Sequence, residues 1–363
     1  MRLCTGLRLR APLQRVGLLL VLVALSGCDV PTELPIFDVR WVIPIEETSI
    51  SVDELLPATG VIISGGNFLV EADTMLLNKT LGSLCAACLD SGGFPVPKTA
   101  FNTVFSQTGD LATGVVSVQL ASGSISLAIQ NDLGFDPIRP AVGSPGTMTV
   151  TIYVGDASGR QLSQVTLDGA VLTDSLPNGA LTTILLNSQP GTVSATIFAE
   201  IDLNSPAGDP VLIDLNAGLD ITVAQGPFSV SSATLDVDSL SVDLDPTNLD
   251  VQDIDTSITD RILMGSLILD IQNPFGVGVD LSLDISDTSG TGGFTTIRKS
   301  VSITSLGTSS VTVTYTAAEL QRFLGQPNVQ ISGSGTVLGG QATVTPTDEV
   351  VIAATLDIEL EIS

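Results

Sequence analysis

The sequence predicts an all-β protein made of tandem antiparallel β-sandwich domains, with one short helix in the C-terminal domain. Many segments alternate apolar and polar residues with a period of two, as Thr149–Val154 does, and this alternation is typical of strands with one buried face. Turn-forming stretches such as Ser64–Asn67 and Pro177–Gly179 separate these segments at short intervals. Short strands joined by tight turns build sandwiches or related barrels.

A pair of similar segments indicates that the sandwich is duplicated. Ser124–Asn131 and Ser266–Asn273 both alternate, both end in Ile-Gln-Asn, and each is followed by a glycine within three residues. A repeated structural unit explains the similarity. The alternative is chance similarity between two alternating strands that end in an asparagine turn.

Four regions follow from these patterns. We predict a signal peptide at 1–27, an N-terminal β-rich region at 28–113, a first sandwich unit at 114–227 and a second at 228–363. The short helix belongs to the second unit: Thr316 suits an N-cap, Glu319 completes a capping box, and Gly325 ends the segment.

The first 28 residues have the form of a bacterial lipoprotein signal. Four arginines precede the apolar stretch Val16–Leu25, which is too short to span a membrane, and Leu25-Ser26-Gly27-Cys28 follows it. The resemblance to bacterial lipoproteins implies that the Cys28 sulfur receives a diacylglyceryl group and that its amine becomes the new N-terminus. The alternative is an ordinary signal peptide with a cysteine near its end. The anchor would place the chain in the cell envelope, outside the cytoplasm, and the sequence leaves inner or outer membrane open.

Charge and composition exclude several classes of function. Removing residues 1–27 takes away four arginines and no acid, so the net charge falls from −26 to −30. Such a surface repels nucleic acid and anionic lipid headgroups. The chain has no histidine, no Ser-x-x-Lys and no Gly-x-Ser-x-Gly sequence, which removes the common nucleophilic and imidazole mechanisms. We therefore expect no enzyme activity, no cofactor and no histidine-based metal site.

Cys85 and Cys88 form a Cys-Ala-Ala-Cys sequence. This spacing occurs in redox and metal sites, but the surroundings are β-rich and further soft ligands are lacking. In an exported protein a small structural disulfide is the favoured interpretation, and two partly buried thiols are the alternative.

The second unit carries a family resemblance. Ile268–Val277 contains a strand followed by Asn273-Pro274, and a strand at Val311–Tyr315, the short helix and a strand at Val329–Gly333 come after it. This order resembles the late embryogenesis abundant type 2 domain, also called the water-stress and hypersensitive-response domain, over about 228–363. The resemblance implies a small β-sandwich with one helix, and a role in stress protection or binding rather than chemistry.

An acidic stretch is a possible calcium site. Carboxylates that share a strand face can bind a cation, but the sequence of a calcium-binding loop is absent, so a solvated strand face is the competing interpretation. The acidic residues are Asp236, Asp238, Asp243, Asp245, Asp250, Asp253 and Asp255.

Two functions remain. The first is a non-enzymatic, membrane-anchored envelope lipoprotein with a binding or structural role toward an unknown protein. The second is a transport component that holds a lipid or another apolar ligand between its sheets.

Overall fold

The computed structural model describes residues 37–56, 60–90, 94–237, 240–288, 293–303 and 306–362. These residues fold almost entirely into antiparallel strands, which confirms the predicted all-β class. The strands are β1 (Phe37–Ser51), β2 (Val61–Ser64), β3 (Asn67–Val70), β4 (Met75–Thr80), β5 (Pro95–Pro97), β6 (Phe101–Asp110), β7 (Val115–Ser122), β8 (Ser124–Asn131), β9 (Thr147–Val154), β10 (Gln161–Asp168), β11 (Ala180–Asn187), β12 (Gly191–Ser194), β13 (Thr196–Ser205), β14 (Pro210–Leu212), β15 (Gly218–Gln225), β16 (Phe228–Asp236), β17 (Ser241–Asn248), β18 (Ile262–Asn273), β19 (Gly278–Asp287), β20 (Ile297–Ile303), β21 (Gly307–Thr316), β22 (Val329–Leu338), β23 (Gln341–Val344) and β24 (Glu349–Ile362). The helices are α1 (Leu81–Leu84), α2 (Thr256–Thr259) and α3 (Ala317–Phe323), and short 3₁₀ turns lie at Val52–Leu55, Ala86–Cys88 and Leu172–Asp174.

The strands form two sandwiches of two four-stranded sheets each. The first sandwich pairs the sheet β11-β8-β15-β4 with the sheet β10-β9-β13-β6, and the second pairs β21-β18-β24-β1 with β20-β19-β22-β17. Apolar side chains that alternate along each strand fill the space between facing sheets. In the second sandwich, for example, Ile271 of β18 and Leu283 of β19 are both buried.

The two sandwiches have the same topology. Each strand of the first sandwich has a counterpart at the same sheet position in the second, and the counterparts follow one another in the same chain order. The similar segments noted in the sequence are β8 and the last eight residues of β18, which occupy equivalent positions. The duplication is therefore a property of the fold and not a chance similarity between two strands.

The repeated asparagine makes the same hydrogen bonds in both sandwiches. The Asn131 side chain accepts from the backbone N–H of Leu133 at 3.0 Å and donates to the carbonyl of Phe135 at 2.8 Å. Asn273 accepts from the N–H of Phe275 at 2.9 Å and donates to the carbonyl of Val277 at 2.9 Å. A buried asparagine side chain thus satisfies the backbone where the strand ends, which explains the shared Ile-Gln-Asn.

The N-terminal strand belongs to the second sandwich. β1 pairs with β24 from Phe37↔Ile362 to Ser51↔Glu349, with one bulge between Ile45 and Thr48. The second sandwich therefore consists of residues 37–51 and 240–362, and the first sandwich is inserted between β1 and β17.

This pairing crosses the boundaries drawn from the sequence. The described part of region 28–113 forms no unit of its own, because it supplies β1 to the second sandwich and β4 and β6 to the first. The boundary at residue 228 also moves, since β16 pairs with β7 of the first unit. Alternation identifies a strand but not the strand beside it, and here the partner of β1 lies at the other end of the chain.

A further sheet joins the two sandwiches. This junction sheet has the order β12-β7-β16-β3-β2, and β23 from the second sandwich also pairs with β16. Several strands of the junction sheet lead directly into strands of the first sandwich. Only Gly123, for example, separates β7 from β8. A Cβ atom at Gly123 would lie 2.3 Å from Cδ1 of the buried Phe228 ring, so the strand passes here only with a glycine.

The helix α3 forms as its capping box predicts. The Thr316 hydroxyl accepts from the N–H of Glu319 at 3.3 Å, and the Glu319 carboxylate accepts from the N–H of Thr316 at 2.9 Å. Leu320 and Phe323 are fully buried, and the Tyr315 ring meets Phe323 edge-on at 6.2 Å between centroids. In the first sandwich the equivalent connection contains β12 instead, which adds a strand to the junction sheet.

Gly123→Ala should destabilise the protein by about 1–3 kcal/mol, because the added methyl group overlaps a buried ring that has no room to move. Gly218→Ala is the matched control, since the nearest atom to a Cβ there lies 3.8 Å away. We expect the control to lie within about 0.5 kcal/mol of wild type or to be slightly more stable. Urea denaturation of the three proteins checks this, and equal stabilities would contradict the packing assigned to Gly123.

Candidate functional site

The predicted site residues are spread along the chain. Cys28 lies outside the described residues. Cys85 and Cys88 are buried and joined by a disulfide, with their Cα atoms 5.3 Å apart. Their oxidation in the cell stays a prediction.

The predicted acidic stretch is divided among several elements. Asp236 ends β16, Asp243 and Asp245 lie on β17, and the loop before α2 carries Asp250. Asp238 lies outside the described residues. Among the residues that the structure describes, no three acidic, cysteine or histidine side chains converge on a point where they could bind a metal ion.

An apolar cavity lies between the sheets of the second sandwich. Its volume is about 30 Å³, and its walls include Leu269, Leu281 and Ile352. It opens where the bulges of β1 and β17 face each other, beside Glu46 and Asp245. Ligand pockets typically measure roughly 300–1,000 Å³, so this cavity has room for one or two water-sized groups and not for an acyl chain.

Another candidate is the end of the first sandwich that points away from the junction sheet. We call this end the tip: it comprises the described parts of 81–100, 132–146, 169–179 and 206–217, which connect the strand ends there. Six large apolar side chains of the tip are between 45% and 77% exposed. They are Leu89, Phe94, Val142, Val171, Leu172 and Leu212.

The tip loops are tied to one another. β5 pairs with β14, so Leu212 lies opposite Pro95, the residue that follows Phe94 in the chain. The N–H of Val142 donates to the Asp209 carboxylate at 3.2 Å, which joins two further loops. The exposed apolar side chains are therefore carried by loops that strand pairing and hydrogen bonds hold in place.

Asp136 organises the base of the tip. Its carboxylate accepts from the backbone N–H groups of Ile138 and Arg139 at 3.0 Å each and from that of Leu176 at 2.9 Å. One side chain thus fixes two of the four tip segments, 132–146 and 169–179.

A buried lysine completes this base. The Lys98 ammonium group donates to the Ser205 hydroxyl at 2.8 Å and to the Pro206 carbonyl. The rings of Phe101 and Phe135 flank it, with centroids 5.6 Å and 5.3 Å from Nζ. Burial lowers the pKa of Lys98 to about 8, and the nearby Asp136 opposes part of that shift.

The contact between Lys98 and Ser205 could suggest a Ser–Lys catalytic pair, in which a lysine activates a serine nucleophile. The geometry favours a structural role instead. Ser205 is fully buried, and its hydroxyl donates to the Pro137 carbonyl at 2.6 Å. A substrate could not approach this oxygen, and its proton is already committed.

The sequence alone did not reveal the tip. Its loops come from four separate segments, and Lys98 and Ser205, which are in contact, stand 107 positions apart in the chain. The one local signal was an apolar residue in a turn, since Phe94 stands between Ser91-Gly92-Gly93 and Pro95.

Comparisons with known proteins give weak structural likenesses. No known protein family matches this sequence, and none of the curated proteins is similar to it. A candidate secreted protein of Parabacteroides distasonis is 11% identical, with a TM-score of 0.31 over 88% of this chain and 99% of that one. The VP2 subviral particle protein of infectious bursal disease virus is 16% identical, with a TM-score of 0.21 over 85% of this chain and 76% of its own.

The tandem carbohydrate-binding modules CBM22-1-CBM22-2 of Paenibacillus barcinonensis Xyn10C are 8% identical, with a TM-score of 0.18 over 81% of this chain and 99% of theirs. No functional inference follows from likenesses this weak.

None of the helices in the described part of the chain is long and apolar enough to cross a membrane.

Lys98 should make stability depend on pH in a defined direction. Its pKa is about 8 in the folded protein and 10.5 ordinarily, so between these values the unfolded chain binds more protons and the folded state gains stability as pH rises. The stability of wild type relative to Lys98→Met should therefore increase from about pH 8 to pH 10.5 and stay level below pH 7. Urea denaturation of both proteins across this range measures the difference, and a flat or falling difference would show that Lys98 is not buried as described.

Proposed function

We propose that this chain is an exported, non-enzymatic lipoprotein, anchored through Cys28 to a bacterial membrane, that binds a partner through the tip of its first sandwich. The observation that carries the proposal is the position of β1. Its first residue pairs with Ile362, at the end of the second sandwich that lies away from the junction sheet. The tip is at the other end of the path that the strands follow.

The anchor and the tip therefore belong to opposite ends of the strand path. Cys28 and Phe37 are nine positions apart, and a chain of this length can span at most ~30 Å, so the anchor would hold the second sandwich close to the membrane. β1 alone, with 15 residues, adds roughly 50 Å along the path toward the junction. This arrangement suits a protein that presents a binding surface away from its membrane.

The charge of the chain explains the need for a lipid anchor. Residues 28–363 carry 39 acidic and nine basic side chains, a balance that repels anionic headgroups at long range. Surface attraction would not hold such a chain at a membrane. Two or more acyl chains would, because each buried methylene contributes about 0.8 kcal/mol.

The competing function, transport of an apolar ligand between the sheets, has less support. The inter-sheet cavity of about 30 Å³ is far smaller than such a ligand. Six of the seventeen exposed large apolar side chains in the described part of the chain belong to the tip, where they can contact a partner without any opening of the sandwich.

Cys28→Ala should abolish acylation of the protein, because the variant lacks the sulfur that would receive the lipid. We expect either release into the soluble fraction or an uncleaved precursor, in both cases without incorporated labelled palmitate. Cys4→Ala is the matched control, since this cysteine lies in the signal peptide, and it should stay labelled and membrane-bound. Labelling and membrane fractionation decide the matter, and a Cys28→Ala protein that is still cleaved and labelled would refute the anchor.

A further inference from the structure

We infer that the tip docks on a protein surface with an apolar socket and a rim of lysine and arginine side chains. The inference rests on the proposed function only for the direction in which the tip faces. Three features support it: the equivalent end of the second sandwich is covered by another part of the chain, the tip exposes apolar side chains, and the tip is acidic.

The duplication shows what this end of a sandwich does elsewhere in the same chain. In the second sandwich the loop after Asn273 carries Phe275 and Val277, both nearly fully buried. The turn into β23 covers them, because a Cβ atom at Gly340 would lie 3.5 Å from a methyl group of Val277. The end that carries the repeated asparagine is therefore a contact surface toward the junction sheet in one sandwich.

In the first sandwich the same end meets no other part of the described chain. Its buried residues Leu133 and Phe135 correspond to Phe275 and Val277, and they are covered by the tip loops themselves. Those loops then expose their own apolar side chains, with Phe94 at 77% and Leu172 at 72%. Exposed apolar side chains on loops that hydrogen bonds hold in place are typical of an interaction site.

The side chains suit the centre of a protein interface. Large apolar and aromatic groups that enter pockets on a partner contribute most of the binding energy, and polar groups surround them. At the tip, Phe94 is the exposed aromatic group, and Leu89, Leu172 and Leu212 are exposed as well. The hydrogen bonds of Asp136 and Asp209 hold the loops in place before binding, so little order has to be gained on docking.

The charge of the tip selects the partner. Its four segments contain six aspartates against Lys98 and Arg139, and Lys98 is buried. Three of these aspartates, Asp90, Asp132 and Asp214, are exposed, and the ion pairs found in the described part of the chain lie in the second sandwich. The aspartates are Asp90, Asp132, Asp136, Asp174, Asp209 and Asp214.

An acidic rim attracts a basic partner surface and repels the two other candidate occupants, a second copy of this chain and an anionic membrane. A second copy of this chain would bring the same exposed carboxylates against its own, and an anionic bilayer would oppose them with phosphates. A protein with lysine and arginine around an apolar socket satisfies both the apolar centre and the rim.

Photocrosslinking in cells of the native host tests this inference with the full-length protein. The photoreactive residue p-benzoylphenylalanine replaces Phe94 or Leu172 at the tip, and Ile62 as the control. Ile62 is 59% exposed but lies on β2 of the junction sheet. We expect one protein adduct from both tip positions and none from position 62, and the partner peptide in the adduct should lie beside lysine or arginine residues.

Charge is tested in the same experiment. Isolated envelopes in 0.5 M NaCl, and an Asp90→Asn, Asp214→Asn variant, should each lower the adduct yield by roughly threefold or more, because both weaken attraction to a basic rim. Asparagine keeps the side-chain oxygen that accepts from the N–H of Asn216, and an unchanged melting temperature confirms that the variant folds.

Adducts to lipid only, or to a second copy of the chain, would overturn the inference. So would the same adduct from position 62, or an adduct yield that changes neither with salt nor in the charge variant. Loss of the anchor gives a separate result. If Cys28→Ala protein stays acylated but the tip adducts appear as expected, the anchor assignment fails while the docking inference stands.

Discussion

The pairing of β1 along β24 is the interaction on which the rest of the structure depends. The two strands stay in register from Phe37↔Ile362 to Ser51↔Glu349, apart from one bulge. Trp41 and Ile43 face the core of the second sandwich and are half-buried there. Each backbone hydrogen bond contributes only about 0.5–1.5 kcal/mol, but a ladder of this length together with apolar burial fixes the strand.

This pairing decides how the chain is arranged. Because β1 completes the second sandwich, the first sandwich is an insertion whose entry and exit both lie at the junction sheet. Its far end therefore has no chain terminus and consists of the connections between its strands. Any pull on the N-terminus would act first on the ladder between β1 and β24, and would reach the first sandwich only through the junction.

The two sandwiches share one strand arrangement but differ in the connections between their strands. The strand order and the buried asparagine are the same in both, so they specify the fold. The connections differ: α3 closes the second sandwich over Tyr315, while β12 in the first joins the junction sheet. Differences in the loops, not in the sheets, separate a sandwich that holds the N-terminal strand from one that presents an apolar tip.

Much of the fold could be predicted from local patterns, because those patterns have local causes. Alternation with period two reflects burial of one strand face, and Thr316 with Glu319 satisfies the backbone of α3 wherever that helix packs. The repeat was visible because Asn131 and Asn273 each make hydrogen bonds to residues two and four positions on.

The remaining features depend on contacts between distant segments. The residues of β24 that pair with β1 lie 298 to 325 positions further along the chain, and a strand pattern carries no information about its neighbour. The tip was missed for the same reason, since four segments build it and Lys98 meets Ser205 only in the folded chain. Cys28 remains a prediction from the sequence, as does the resemblance of the second sandwich to the late embryogenesis abundant type 2 domain.

The most direct measurement cuts the chain between β1 and β2. A protease site placed at residues 57–59 would separate the β1 peptide from the rest of the protein, and size-exclusion chromatography would follow both pieces. If β1 completes the second sandwich, the peptide should co-elute with the remainder in native buffer and separate only at the urea concentration that unfolds the second sandwich. A peptide that dissociates in native buffer, and leaves a remainder with unchanged circular dichroism and melting temperature, would contradict the account.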